Sequence, residues 1–218
     1  MKIAVCIPTY RAHLPLLKRC LDSIQAQTRQ PDAVVVSASS CDSKDIVLPA
    51  YPFPLLLLAS PEHQDAAANR NCAAEAIRNS VDILTFIDSD DEMVPERLAF
   101  LERAFVESGA DFVLHSFVDM KHTQSRERTS YQLHQDPFML DLRPYCGVVL
   151  KPGIPGPIHQ AHASIRASLF DKHRYEGGHM VYPASGKSYS WEDTEYNRRI
   201  VLQGKKGAYL STQLSLYY

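Results

Sequence analysis

Short apolar runs alternate along the chain with segments whose apolar residues recur every three to four positions, and this alternation predicts an α/β fold. Lys2–Ile7 predicts a buried first strand stopped by Pro8, and a helix opens near Pro15 with Leu14, Leu17, Leu21 and Ile24 on one face. After a turn at "RQPD", Ala33–Ser37 predicts a second strand, followed by the polar loop "SASSCDSKD". Pro49, Pro52 and Pro54 lead into a third strand over Leu55–Leu58, and the alanine-rich Asp65–Arg78 predicts a helix. Ile83–Ile87 predicts the fourth strand, with a cluster of acidic residues at its carboxyl end. Past Pro95 a further helix carries Leu98, Leu101 and Phe105, and Asp111–Phe117 predicts another strand. Residues 119–160 are polar and interrupted by Pro137, Pro144, Pro152, Pro155 and Pro157, so they read as long loops. A last helix starts at "WEDTEYNRRIVLQG" and is stopped by Gly204, and "LSLYY" reads as a strand. Gly177 and Gly178 read as a turn or a mobile lid.

At 218 residues and 45% hydrophobic, the chain is long enough for one domain with a substantial core, and two separate domains are not expected. It may be read equally as one domain of a longer protein. A formal charge of −2 gives no basic field, which argues against nucleic acid as the main partner. Cysteines 6, 20, 41, 72 and 146 are odd in number and scattered without C-x-x-C or finger spacing, so they read as reduced, mostly buried thiols in a cytoplasmic setting. No apolar run approaches the roughly 20 residues of a membrane span. "MKIAVCIPTY" does not complete a signal peptide, because Pro8 ends its apolar run.

The acidic cluster "TFIDSDDEM" carries the chemistry, because carboxylates this close repel one another unless a positive group joins them or water screens them. In open parallel α/β sheets, ligands bind beyond the carboxyl ends of the strands, where this cluster sits. On an extended segment the spacing D-x-D turns Asp88 and Asp90 to the same side, where they would share a hard divalent cation, Mn²⁺ or Mg²⁺, that in turn holds a diphosphate. The alternative is an acidic helix start in which Asp91 caps the helix after Pro95. His159 and His162 are three positions apart, but no carboxylate or cysteine accompanies them at ligand spacing in the sequence, so they read as ordinary loop or core histidines.

Four stretches, "VCIPTYRAHLPLLKRCLDSI", "AAANRNCAAEAI", "LTFIDSDDEMVP" and "WEDTEYNRRIVLQGKKGAYL", resemble in order and spacing the family 2 glycosyltransferases. The resemblance covers most of the chain and is weakest over 119–160. It implies a single Rossmann-like nucleotide-diphospho-sugar transferase (GT-A) domain over 1–218, with a mixed, mostly parallel central sheet flanked by helices. Residues 1–117 would form the nucleotide-sugar-binding half, and 118–218 the acceptor-binding and catalytic-base half. It implies a metal-dependent, inverting transfer of a hexosyl or deoxyhexosyl group from a nucleoside-diphosphate sugar, UDP-sugar favoured, to a hydroxyl of a glycan or other acceptor. By the same resemblance Pro8, Thr9, Tyr10, Arg11, Arg70, Asn71, Asp88 and Ser89 line the nucleotide-sugar pocket, Asp90 with Asp88 holds the metal, and Asp193 is the catalytic base. Trp191, Glu192 and His162 fall on the acceptor side, with Trp191 either stacking on a sugar or packing under the helix.

One departure stands out: where the family commonly reads "VVDDGSTD", this chain reads "VVSASSCD", so Ser37 and Ala38 replace an acidic pair near the nucleobase. Ser37, Ser39 or a backbone group would then have to read the base. Rival classes fit less well. A haloacid-dehalogenase-type phosphotransferase places its D-x-D after the first strand, and a pyrophosphorylase carries a glycine-rich basic loop where this chain has "PTYRAHLP". A non-catalytic carbohydrate-binding domain would need neither base nor metal site.

Overall fold

The computed structural model describes residues 1–121, 131–134, 141–143, 147–149, 158–177, 179–181, 188–190 and 192–218. Among the described residues, thirteen strands and five α-helices follow in chain order: β1 Ile3–Tyr10, α1 Leu14–Gln25, β2 Ala33–Ser39, β3 Leu55–Ser60, α2 Ala66–Ile77, β4 Ile83–Phe86, β5 Glu92–Met93, α3 Arg97–Ser108 and β6 Phe112–Asp119, then β7 Leu133–His134, β8 Asp141–Arg143, β9 Gly147–Val149, β10 Ser164–Arg166, α4 Ala167–Phe170, β11 His179–Val181, β12 Ser188–Ser190, α5 Glu192–Leu202 and β13 Gly207–Tyr217. The main sheet runs β3-β2-β1-β4-β10-β6-β13-β5, with β7 also on β13. The ladders among β3, β2, β1 and β4 are parallel, as is β6 with β13, whereas β10 runs antiparallel between β4 and β6. β8 with β9 and β11 with β12 form separate hairpins.

The apolar runs are continuous because both faces of the sheet are covered. Along β1, Ile3, Val5 and Ile7 face one layer, where Leu17, Leu21 and Ile24 of α1 meet Leu98, Leu101 and Phe105 of α3. Ala4 and Cys6 face the other layer, built from Ala67, Ala73 and Ala74 of α2 together with Tyr196 and Ile200 of α5. The small residues of α2 let its axis approach the sheet, which brings Asn69 and Arg70 close to the strand ends. Among the described residues no helix is long and apolar enough to cross a membrane.

The sequence expected Pro8 to stop β1, and it does not. The Cys6 carbonyl accepts the Ile87 N–H on the β4 side at 3.2 Å. Pro8, two residues on, faces that same side beyond the last β4 pair, Cys6 with Phe86, so its missing N–H costs no ladder bond. The strand therefore continues along β2 to Tyr10. The alternative that made Asp91 a helix cap also fails, because β5 intervenes and α3 starts at Arg97 behind Glu96. Of the expectations over 119–160, β6 reaches further than expected and β7, β8 and β9 are additional strands. β10, in "ASIRASLF", was not anticipated as a sheet strand; at three residues it is too short for a period-2 pattern to register. Gly204 does end α5, in the left-handed region at φ 71°. Gly177 lies against the Asp65 carboxyl, leaving no room for a Cβ, while Trp191, Gly178 and Cys146 fall outside the described residues. Cys6, Cys20, Cys41 and Cys72 are free thiols.

Candidate active site at the carboxyl edge of the sheet

The chain leaves β4 and turns at once. Asp91 N–H donates to the Asp88 carbonyl at 3.1 Å, closing a turn through Ser89 and Asp90. The expected extended geometry for the D-x-D pair is thus replaced by a turn, which these short polar residues favour because their side chains compete for backbone groups. Arg19 of α1 braces the turn from outside, donating to the Asp90 carbonyl, pairing with Glu92 at 3.4 Å and stacking 3.8 Å above the Tyr218 ring. The Asp90 side chain stands partly open, its nearest cationic partner being His13 at 3.9 Å.

Arg70 answers the charge problem on one side of the cluster. It is 2% exposed. One guanidinium nitrogen donates to Glu192 Oε1 at 2.5 Å and the other to Asp88 Oδ1 at 2.7 Å. The two flanking carboxylates hold Arg70 protonated although burial opposes its charge. Asp88 is nonetheless pushed up to about 6, by burial first, against the pull of Arg70 and with a push from Asp91. Tyr175 sits 5.5 Å from Arg70 and stacks on Tyr196 at 3.9 Å, walling the guanidinium on its apolar side.

Arg97 answers it from below. Fully buried at the start of α3, it donates to the Phe86 and His162 carbonyls at 2.6 and 3.2 Å, to Thr85 Oγ1 at 3.1 Å and to Ser215 Oγ at 3.0 Å. Burial lowers its pKa to about 9, which still leaves it charged at neutral pH. Asp91, 1% exposed, accepts the Tyr218 N–H at 3.1 Å and lies beside His162 and His159 at 3.1 and 3.4 Å. The structure thus brings to the two histidines the carboxylate that the linear spacing lacked. His162 is fully buried, and burial drives its imidazole well below the ordinary value, toward the neutral form.

At the end of β1, where the sequence expects the nucleotide, Tyr10 projects, stacked obliquely on His13 at 4.4 Å, with Arg11 exposed beside it. Thr9 and Ser89 are buried, each with a hydroxyl that has no hydrogen-bond partner among the described residues. Ser37 and Ser39 are buried too, and both hydroxyls bond Asn69, at 3.1 and 3.0 Å, whose Nδ2 also reaches the Thr9 carbonyl at 3.2 Å. Asn71 makes a two-way bond to the Tyr175 backbone at 2.8 and 2.9 Å, pinning the segment before Gly177. Ser40, just past β2, sits in the left-handed region at φ 58°, an uncommon conformation for serine at the rim of a site.

Asp193 is the second residue of α5, next to Glu192. Its Oδ1 accepts the Thr194 N–H at 2.5 Å. Burial raises its pKa, partly countered by Arg70 and reinforced by Glu192. Asn69, Arg97 and Arg19 belong to this site yet carried no signal in the sequence, and His159 read there as an ordinary histidine. The fold buries Asn69, Arg97 and His159, while Arg19 stays partly exposed.

A mixed sheet with helices on both faces, a nucleotide-type edge and an acidic turn facing a carboxylate-bearing helix define a GT-A sugar-nucleotide transferase fold. The chain matches the family described as glycosyl transferase family 2 over residues 4–173, and it belongs to that family. Among solved structures it resembles S. aureus TarS 1–349 in complex with UDP (TM-score 0.65, 15% identity, covering 99% of this chain and 60% of that one). It also resembles S. aureus TarS 1–349 (0.62, 17%, 100% and 60%) and TarS 1–349 in complex with UDP-GlcNAc (0.59, 14%, 99% and 58%). The chain therefore spans about three-fifths of the length of these structures. At such identities the likeness speaks for the fold alone. No curated protein sequence matches the chain.

Proposed function

We propose that this glycosyltransferase moves a sugar, with inversion, from a nucleoside-diphosphate sugar to an acceptor hydroxyl, and that Asp193 is the general base. The observation that carries the reading is the Arg70 clamp: one buried guanidinium ties Asp88 of the donor turn to Glu192, the neighbour of Asp193. A donor held at the turn and a base on α5 are thereby kept in fixed register, which is what a displacement between two bound substrates needs. Residues 1–117 would supply the donor pocket and 118–218 the acceptor pocket and base.

Asp90 fits the hard divalent cation of the family, because its carboxylate stands partly open and among the described residues meets only His13, at 3.9 Å, while Asp88 already gives one oxygen to Arg70. When bound, such an ion supplies the positive charge that a departing diphosphate requires. Asp193 takes the acceptor proton as the acceptor oxygen attacks the anomeric carbon from the face opposite the diphosphate. Burial raises its pKa, which makes it a stronger base than an ordinary aspartate. Tyr10 and Arg11, exposed at the end of β1, are the groups this reading gives to the nucleotide, and the TarS complexes with UDP and UDP-GlcNAc favour a uridine donor. The test is a donor screen reading nucleoside-diphosphate release with Mn²⁺, with Mg²⁺ and with chelator. Release from UDP-sugars that requires metal and acceptor is expected. A purified chain that turns over no sugar nucleotide with any acceptor class would refute the reading.

A further inference from the structure

Behind the D-S-D turn, Asp91, His159 and His162 bring a carboxylate and two imidazoles together, all three buried, with their ligand atoms within 4.8 Å of one another. The hydrogen bonds place the His162 proton. Nε2 accepts the Asp88 N–H at 3.3 Å, so Nδ1 carries the hydrogen and gives it to Ser215 Oγ at 2.8 Å, an oxygen that Arg97 also contacts at 3.0 Å. The Nε2 lone pair then lies 3.1 Å from Asp91 Oδ2, with no proton between them. Two acceptors at that distance repel. Asp91 Oδ2 and both ring nitrogens of His159 have no hydrogen-bond partner among the described residues, and each buried unpaired group costs about 1–3 kcal/mol. Phe117 and Tyr217 close on the His159 ring edge-on at 5.0 and 5.3 Å, so the surroundings are apolar.

The geometry points to a buried divalent-cation site formed by Asp91, His159 and His162, separate from the Asp88 and Asp90 carboxylates that face the donor. The Oδ2 to Nε2 separations of 3.1 and 3.4 Å are close to the edge of a tetrahedron whose metal bonds measure about 2.1 Å. Two imidazoles and one carboxylate suit a borderline ion such as Zn²⁺ or Co²⁺ better than Mg²⁺, which prefers oxygen. Ser215 on His162 Nδ1 and Tyr218 N–H on Asp91 Oδ1 supply the outer hydrogen bonds that orient such ligands. The two rings lie parallel, 5° apart in angle with centroids 3.5 Å apart, so a cation on both Nε2 atoms requires one ring to tilt, and it takes the single His162 Nε2 lone pair from the long 3.3 Å contact with the Asp88 N–H. His162 is held by Ser215 and His159 is not, so His159 is the ring that turns. The site ties the donor turn to the segment before β10 and to the end of β13.

The test is Co²⁺ titration of chelator-treated protein, read by visible ligand-field absorption. The expected result is one equivalent of tetrahedral-type cobalt, lost in His159→Ala and in His162→Ala and kept in Asp90→Ala. Because either histidine variant could fail to fold, the imidazole ¹⁵N resonances of the unaltered protein are followed through a Zn²⁺ titration, where the two Nε2 signals should shift at one equivalent. Cobalt absorption that survives His159→Ala, that disappears in Asp90→Ala, or imidazole signals that stay put at one equivalent would overturn the site and leave a shared-proton hydrogen bond in its place. Donor binding that ignores Asp90→Ala would count against the proposed function while leaving this site standing.

Discussion

Replacing Arg70 with Gln strips the charge from the clamp and leaves Asp88 and Glu192 facing an amide. Glu192 is 7% exposed at its side chain and loses its 2.5 Å partner in a buried place, where breaking an ion pair costs about 3–5 kcal/mol. Asp88 is 29% exposed, so water screens part of its loss and that arm is worth about 1 kcal/mol or less. Gln keeps one hydrogen bond, which returns about 1 kcal/mol. The net expectation is about 3 kcal/mol of lost stability, or a fall in Tm of about 6–12 °C for a chain of this size. The double variant Arg70→Gln, Glu192→Gln removes the buried carboxylate that has lost its guanidinium and should recover a good part of that fall, and a double-mutant cycle in differential scanning calorimetry measures the coupling. A single variant that melts within about 2 °C of the parent, or a double variant no more stable than the single, would show that the clamp is not what holds the turn to α5. Transfer activity should fall even at temperatures where the single variant is fully folded, since the donor turn and the base lose their common anchor.

Asp193→Asn should lower turnover by roughly 10²- to 10⁴-fold with donor affinity nearly unchanged. Its melting temperature should not drop: the folded pKa is raised, so the stability this group contributes is present below the ordinary carboxylate value and lost as pH rises through the folded one, and a neutral amide near pH 7 escapes that loss. For the same reason the acid limb of kcat/KM should lie above the ordinary aspartate range, and Arg70→Gln should move it higher still, because Arg70 opposes the rise. Asp90→Ala should weaken metal-dependent donor binding in calorimetry by about 10- to 100-fold, and chelator-insensitive binding at full strength would remove Asp90 from the donor site. Since Ser37 and Ser39 spend hydroxyl bonds on Asn69, free UDP, dTDP and GDP should compete within about tenfold of one another, and a preference beyond about a thousandfold would mean that another group reads the base.

The elements that bury a face over several turns or residues were legible in the sequence: α1 from the spacing of Leu14, Leu17, Leu21 and Ile24, α2 from its alanines behind Asp65, β2 and β4 from their apolar runs. What was not legible depended on neighbours distant in sequence. Pro8 reads as a strand stop because proline lacks an N–H, and only the absence of a β4 partner at that register makes the lack harmless. β10 is a strand because β4 and β6 offer it two ladders, not because Ser164, Ile165 and Arg166 have a pattern of their own.

The site divides the same way, and the division has a physical cause. Asp88 and Asp90 could be picked out locally because several carboxylates in a short window are costly unless something is bound or paired there, whereas Asp193 stood out only through the family resemblance. The groups that balance them could not, since a compensating charge must be near in space and has no reason to be near in sequence. Arg70 precedes Asp88 by 18 positions and Glu192 by 122. Arg97 reaches Ser215 across 118. An arginine on a helix reads as a solvated charge until the fold removes the water, and here the fold removes it twice, from Arg70 beside the turn and from Arg97 beneath it. The four acidic side chains of the turn are thus not one cluster with one purpose. Asp88 belongs to the clamp, Asp91 faces inward to the histidines, Glu92 is held by Arg19, and Asp90, as open as Asp88, has among the described residues only the His13 imidazole beside it, at 3.9 Å. A carboxylate already paired with a guanidinium is less available to a ligand than one that is not, so of the carboxylates in this turn Asp90 is the one whose charge the protein itself compensates least.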